Sequence, residues 1–168
     1  MSSRLFSPIS LSEIELRNRI IVAPMCQYSA VDGSATDWHL MHLGQFAVSG
    51  VGLILVEATG VSPEGRISPG CLGLWSDEKQ AALGRVVKFC HDYGNAKMGI
   101  QLAHAGRKAS TDLPWLGGAP IPAADPRGWQ TLAPSATPYN DAFDMPLALD
   151  EAGMDKIVDD FIAAAERW

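Results

Sequence analysis

Three short apolar runs, Ile20–Val22, Leu53–Val56 and Met98–Leu102, constrain this chain more than any other feature. The first two are continuous and bounded by turn residues, the pattern of strands buried on both faces of a sheet. Between the runs lie two helical patterns. Asp37–Val48 carries Trp38, Met41, Leu43, Phe46 and Val48, with a capping-box match at Ser34 and Asp37 before it and Gly50 as its stop. Ser76-Asp77-Glu78 opens the second with an N-cap and two acids where the helix dipole favours them. Leu83, Val86, Val87 and Cys90 then share one face, and Gly94 ends it. Strand, helix, strand, helix, strand implies βαβ crossovers and a parallel α/β sheet.

Around that unit, residues 5–18 read as a small hairpin plugging one end of the fold, and Leu149–Trp168 as an amphipathic helix carrying Ile157, Val158, Phe161 and Ile162. A segment of roughly 103–147, rich in Pro and Gly, separates the third strand from that helix. A structureless stretch of that size inside a domain is usually functional. The 168 residues are expected to form one domain.

Composition narrows the function classes. Lys plus Arg number 13 against 19 Asp plus Glu, a net charge of −6, which argues against a nucleic-acid or anionic-membrane binder. No run reaches the roughly 18 apolar residues of a membrane span. Cys26, Cys71 and Cys90 are an odd set without a CxxC pair, which fits a reducing compartment. Polar Ser2-Ser3-Arg4 follows Met1 with no apolar signal region, so the chain reads as cytoplasmic.

The candidate chemistry lies at the carboxyl ends of the strands. In Ile20 to Tyr28, Pro24 ends the ladder and a thiol, an amide and a phenol follow: Cys26, Gln27 and Tyr28. Strand ends are where parallel α/β folds place reactive groups. The same pattern also describes a core strand followed by an ordinary loop. Gln101, ending an apolar strand, offers a donor and an acceptor to a uracil-like ring. His104 and Arg107 follow it, either as site residues or as a loop-anchoring ion pair. His39 and His42 share a helix face without a third metal ligand, so capping or core hydrogen bonding is the expected role. Cys71 and Cys90 read as small packed apolar groups. The chain has no GxGxxG, GxxxxGK[ST], HExxH or GxSxG.

Several separated segments resemble the Old Yellow Enzyme family of flavin oxidoreductases. They are Leu16 to Ile20, Ala23-Pro24-Met25-Cys26-Gln27-Tyr28, Val56-Glu57-Ala58-Thr59, Pro63 to Ile67 and Gln101 to Ala109. Cys26, Trp129 and Ala133-Pro134-Ser135 make the bacterial xenobiotic-reductase branch the best fit. The resemblance runs along the whole chain. It implies a TIM (β/α)8 barrel that binds FMN at the strand ends and uses NADPH or NADH to reduce activated alkenes such as enones. It further implies that Ala23, Pro24, Met25 and Cys26 line the flavin, with Cys26 near the reactive edge and tuning its potential. Tyr28 would meet the substrate, Ala58 approach the ring and Gln101 hydrogen-bond its pyrimidine part.

A complete barrel needs about 250 residues, and this chain supplies about three strand–helix units after its hairpin. The family's substrate-binding histidine pair, tyrosine proton donor, flavin-contacting arginine and phosphate loops, on later strands, have no counterpart here. The expectation is therefore the N-terminal part of a TIM barrel, incomplete on this chain and completed by a second polypeptide or by self-association. The other reading is a non-catalytic half-barrel or interaction module. Either way an unclosed sheet should expose one apolar flank.

Overall fold

The computed structural model describes residues 3–168. The chain opens with an antiparallel hairpin of β1 (Ile9–Leu11) and β2 (Ile14–Leu16), as expected for the plug. The central sheet follows, with the parallel order β3 (Ile21–Val22), β4 (Leu53–Gly60), β5 (Lys97–Ala103). Helix α1 (Asp37–Ala47) connects the first two strands and α2 (Asp77–Tyr93) the next two. The hairpin is tied to the amino-terminal ends of the strands. Asn18 Nδ2 donates to the Gly50 carbonyl at 2.8 Å, and Gly52 N donates to the Ile20 carbonyl at 2.9 Å. Gly52 has to be glycine, since a Cβ there would lie 2.5 Å from the Asn18 carbonyl oxygen.

The two faces of the sheet differ. Ile54 and Val56 of β4 point to the helices and are fully buried with Leu43 and Ala47 of α1 and Leu83, Val86 and Cys90 of α2. Each large aliphatic buried there contributes about 1.5–3 kcal/mol. On the other face Ile21 is 46% exposed, and Lys97 and Gln101 are exposed as well. The expectation that the first strand is buried on both faces is thus corrected. Among the described residues only one layer of helices covers the sheet, and the face that a closed barrel would turn inward stays open.

The start of α1 also departs from the expected capping box at Ser34 and Asp37. Ser34 is occupied in a tight turn, exchanging backbone hydrogen bonds of 3.1 and 2.9 Å with Val31. Thr36 is the N-cap, and His39, three residues on, returns its Nδ1 to the Thr36 N–H at 3.0 Å.

The long segment is more structured than expected. It holds short 3-10 turns at Gly106–Lys108 and Pro114–Leu116 and a strand β6 (Leu132–Ala133) that pairs in parallel with β7 (Leu147–Ala148). Side chains bind it to the barrel end. The Arg66 guanidinium lies 5.2 Å from the Trp75 ring centre and 5.0 Å from that of Trp129, while Trp129 Nε1 donates to the Glu64 carbonyl at 2.9 Å. Helix α3 (Glu151–Arg167) closes the chain, capped by Asp150, which accepts from Gly153 N at 2.8 Å. Its Phe161 and Ala164 join the core, whereas Met154, Val158 and Ile162 form a half-exposed apolar stripe.

Candidate functional site

The open face leads to the carboxyl ends of the strands, where the residues singled out from sequence converge. Ile21, Ala23 and Met25 alternate as exposed positions along the first strand and its extension, while Pro24 and Cys26 are half-buried between them. Ala58 and Gln101 are direct register partners on neighbouring strands.

That pairing depends on a β-bulge. The register runs Leu55 to Gly99 and Val56 to Ile100, then skips Glu57 and resumes at Ala58 with Gln101. An extra residue in one strand shifts its side-chain alternation by one. Without it, Ala58 would follow Ile54 and Val56 into the helix-facing core. With it, Ala58 turns to the open face and Glu57 is buried at 3% exposure.

Glu57 then organises the first loop. Its Oε2 accepts from Gln27 N at 3.0 Å, and its Oε1 lies 3.2 Å from His39 Nε2, in contact but off the line of a hydrogen bond. Because His39 Nδ1 accepts the Thr36 N–H, the ring proton sits on Nε2 and faces the carboxylate. The cap of α1, the bulge in β4 and the loop at residues 25–28 are therefore one connected unit. His39 has the capping role expected for it. Glu57, the hub, drew no attention as a single residue in the sequence. A lone carboxylate inside an apolar strand was the available signal.

Tyr28 adopts a left-handed backbone, φ 51°, uncommon for a residue with a bulky side chain. This conformation sets its ring edge-on to Trp115, with centroids 5.8 Å apart. Tyr28, Ile67, Lys108, Asp112 and Tyr139 line an open cavity of about 660 Å³ whose outer wall is the long segment. Burial foremost, then the thiols Cys26 and Cys71 and the Glu57 carboxylate, raise the Tyr28 pKa above its ordinary value. The phenol is thereby kept as a hydrogen-bond donor.

His104 and Arg107 make hydrogen bonds to neutral partners in place of an ion pair. His104 Nδ1 accepts from Gly106 N at 3.1 Å and Arg107 donates to Ser135 Oγ at 3.2 Å, so both anchor loops. Cys90 is packed on α2 as expected. Cys71 is buried as expected, 1% exposed, with its Sγ 3.7 Å from Ser68 Oγ.

The donor set suits a flat heteroaromatic ring. Small Ala23 and Ala58 leave the strand ends unobstructed, and exposed Gln101 can both donate and accept at a ring edge. No helix of the described residues is long and apolar enough to cross a membrane.

Parallel strands joined by helices, with candidate site residues gathered at their carboxyl ends, define part of a TIM-barrel enzyme. Comparison with known proteins agrees. The profile of the NADH:flavin oxidoreductase / NADH oxidase family matches residues 4–168, and the chain belongs to that family. It is 44% identical to an NADH:flavin oxidoreductase of Gibberella zeae, over 99% of this chain and 41% of that protein. Morphinone reductase in complex with tetrahydroNAD superposes with a TM-score of 0.82 at 29% identity, over 99% of this chain and 46% of the other. An Old Yellow Enzyme homologue from Zymomonas mobilis gives a TM-score of 0.80 at 30% identity, over 98% and 45%. The chain thus spans less than half the length of these relatives.

Proposed function

We propose that this polypeptide forms the first strands of an FMN-dependent ene-reductase that takes reducing equivalents from NADPH or NADH and reduces activated C=C bonds such as those of enones. The remaining strands of the barrel come from outside these 168 residues. The observation that carries this reading is the register pairing of Ala58 with Gln101 on the open face, at the carboxyl ends of the strands. These are positions the family resemblance assigns to the flavin.

Bound FMN would supply the hydride relay between the nicotinamide and the alkene. The chain's own residues have separate tasks. Ala23, Pro24, Met25 and Ala58 would shape the surface against which the ring lies, and Gln101 would pair with its pyrimidine edge. Cys26 would lie near the ring's reactive edge and tune its potential. Tyr28, held protonated, offers its hydroxyl to the substrate at the wall of the cavity. The Glu57–His39 unit keeps the loop carrying Cys26 and Tyr28 in position.

The test is to isolate the polypeptide in its native assembly, record its visible spectrum, and follow NADH and NADPH oxidation with a cyclic enone. Flavin bands bleached by the nicotinamide and restored by the enone are expected. An assembly that binds no FMN and leaves the enone unreduced would overturn the proposal. Such material would fit a self-associating half-barrel, a reading favoured by the exposed stripe of Met154, Val158 and Ile162.

A further inference from the structure

The cavity beside Tyr28 has walls of unlike chemistry. Tyr28 and Ile67 belong to loops at the strand ends, and the long segment contributes Lys108, Asp112, Tyr139 and Phe143. At about 660 Å³ it has the size of a small-molecule site. Ordered backbone holds its aromatic side. Asn140 accepts from Ala142 N through its side chain at 2.9 Å and from Phe143 N through its carbonyl at 3.1 Å. This turn sets the Phe143 ring edge-on to Tyr139, with centroids 5.3 Å apart and planes at 78°. Asp144 Oδ2 accepts from Ala123 N at 2.9 Å and ties the turn to the rest of the segment.

The two charges on the wall are not equivalent. Asp112 is committed: its Oδ1 accepts from Leu113 N at 2.8 Å and its Oδ2 from Arg127 Nη1 at 3.1 Å. Lys108 enters none of the ion pairs of the described residues. Its Nζ stands over the Tyr139 ring instead, 4.7 Å from the centre. Its backbone is fixed at the end of the 3-10 turn Gly106–Lys108, between Arg107, which donates to Ser135 Oγ, and buried Ala109. The carboxylate of the wall is thus neutralised and the ammonium is not.

We propose that this cavity takes a flat, conjugated enone that carries a carboxylate remote from its alkene, and that Lys108 selects it. The inference rests on the proposed ene-reductase function and names a substrate class for it. Tyr139 and Phe143 offer surface to a planar conjugated body. Lys108, over the same Tyr139 ring, supplies the counter-charge beside that surface, with three donors for a carboxylate. A neutral enone uses only the aromatic surface; the acid uses both. The chain's net charge of −6 repels anions at long range, so the preference has to come from this local contact. Lys108 is exposed, and a partly solvated ion pair is worth about fivefold in affinity.

The probes are para-carboxybenzylideneacetone and its neutral para-carboxamide. Their binding to the native assembly, without nicotinamide and so without turnover, is measured by isothermal titration calorimetry. The acid should bind about fivefold more tightly than the amide at low ionic strength, and the margin should shrink as salt is raised. Lys108→Met, which keeps the aliphatic stem, should abolish the preference and leave amide binding as it was. Lys108→Arg should retain it. Equal affinities in the wild type, or a preference that survives Lys108→Met, would refute the assignment. The phosphates of the nicotinamide cofactor are the other anions available to this ammonium. A loss in Lys108→Met confined to NADPH binding would assign Lys108 to them and overturn the substrate proposal. Enone reduction is scored separately on the same assembly. Turnover of neutral enones without any acid preference sinks this inference alone. The preference without turnover leaves the carboxylate site standing and removes the ene-reductase reading.

Discussion

His39→Leu probes how the first loop is held. In the native protein the Glu57 carboxylate, 3% exposed, has two partners: Gln27 N at 3.0 Å and His39 Nε2 at 3.2 Å. Leaving a buried acceptor without its partner costs about 1–3 kcal/mol. The surviving Gln27 contact and the off-line His39 geometry put the loss in the middle of that range, about 2 kcal/mol. The leucine also removes the ring nitrogen from the Thr36 N–H, worth about 1 kcal/mol as a lost cap. With a urea slope of about 2 kcal/mol/M, the unfolding midpoint should drop by about 1.5 M. Equilibrium urea unfolding followed by far-ultraviolet circular dichroism measures this. The deciding comparison is the double variant His39→Leu with Glu57→Leu. It removes the buried charge together with its partner, so it should be about 1–3 kcal/mol more stable than the summed single losses. Additivity within about 0.5 kcal/mol would refute the coupling and leave His39 as a cap alone.

Further expectations follow from the same geometry. Gly73→Ala would put a Cβ 1.8 Å from Trp75 Cζ3, so a loss of about 1–3 kcal/mol is expected. The tryptophan near-ultraviolet signal should change with it, and wild-type stability would refute the tight packing. Gln101→Leu should weaken FMN binding to the native assembly about tenfold, the worth of one good hydrogen bond, as read by flavin fluorescence titration. Unchanged affinity would remove Gln101 from the flavin site. The Tyr28 phenol should ionise above its ordinary value of 10.0, since burial and then the neighbouring thiols and carboxylate oppose its charge. The folded chain keeps that proton where the unfolded chain loses it, so its share of stability is complete below pH 10 and declines as pH rises beyond. A phenolate absorbance difference between wild type and Tyr28→Phe that appears at or below pH 10 would contradict this.

The order of strands and helices was legible because each element carries its own periodicity. Leu53–Val56 is apolar without interruption, and Leu83, Val86 and Cys90 recur at helical spacing; Ile54, Val56, Leu83, Val86 and Cys90 are buried, while Leu53 and Leu55 stay half-buried on the open face. The positions gathered at the strand ends were legible through position and resemblance together. Long-range contacts were not. Cys71 sits in a Gly-Pro loop whose path depends on Gly60 pairing with Leu72 and on Gly70 meeting Tyr28, and neither contact leaves a local pattern. The long segment failed for a related reason: its order comes from Arg66 between Trp75 and Trp129, residues far apart in the chain.

The β4 bulge ties these points together. Strict alternation along Ile54, Val56 and Ala58 would bury Ala58 among the helices and turn Glu57 onto the open face beside Gln101. A carboxylate there would face the ring edge that the proposed function assigns to an amide, and His39 would lose its buried partner. One inserted residue reverses both outcomes, burying Glu57 against His39 and Gln27 and bringing Ala58 level with Gln101. The insertion leaves no mark in composition or periodicity, because Val56-Glu57-Ala58-Thr59 reads equally well as a regular strand end. The bulge is stabilised by what its extra residue reaches across the fold, not by its local sequence. Weakening the Glu57–His39 contact should therefore loosen the Ala58–Gln101 register as well as the loop of Cys26 and Tyr28. Hydrogen exchange at Ala58 and Gln101 in His39→Leu is the measurement: faster exchange there than at Ile54 is expected, and uniform exchange along β4 would show that the bulge holds without its partner.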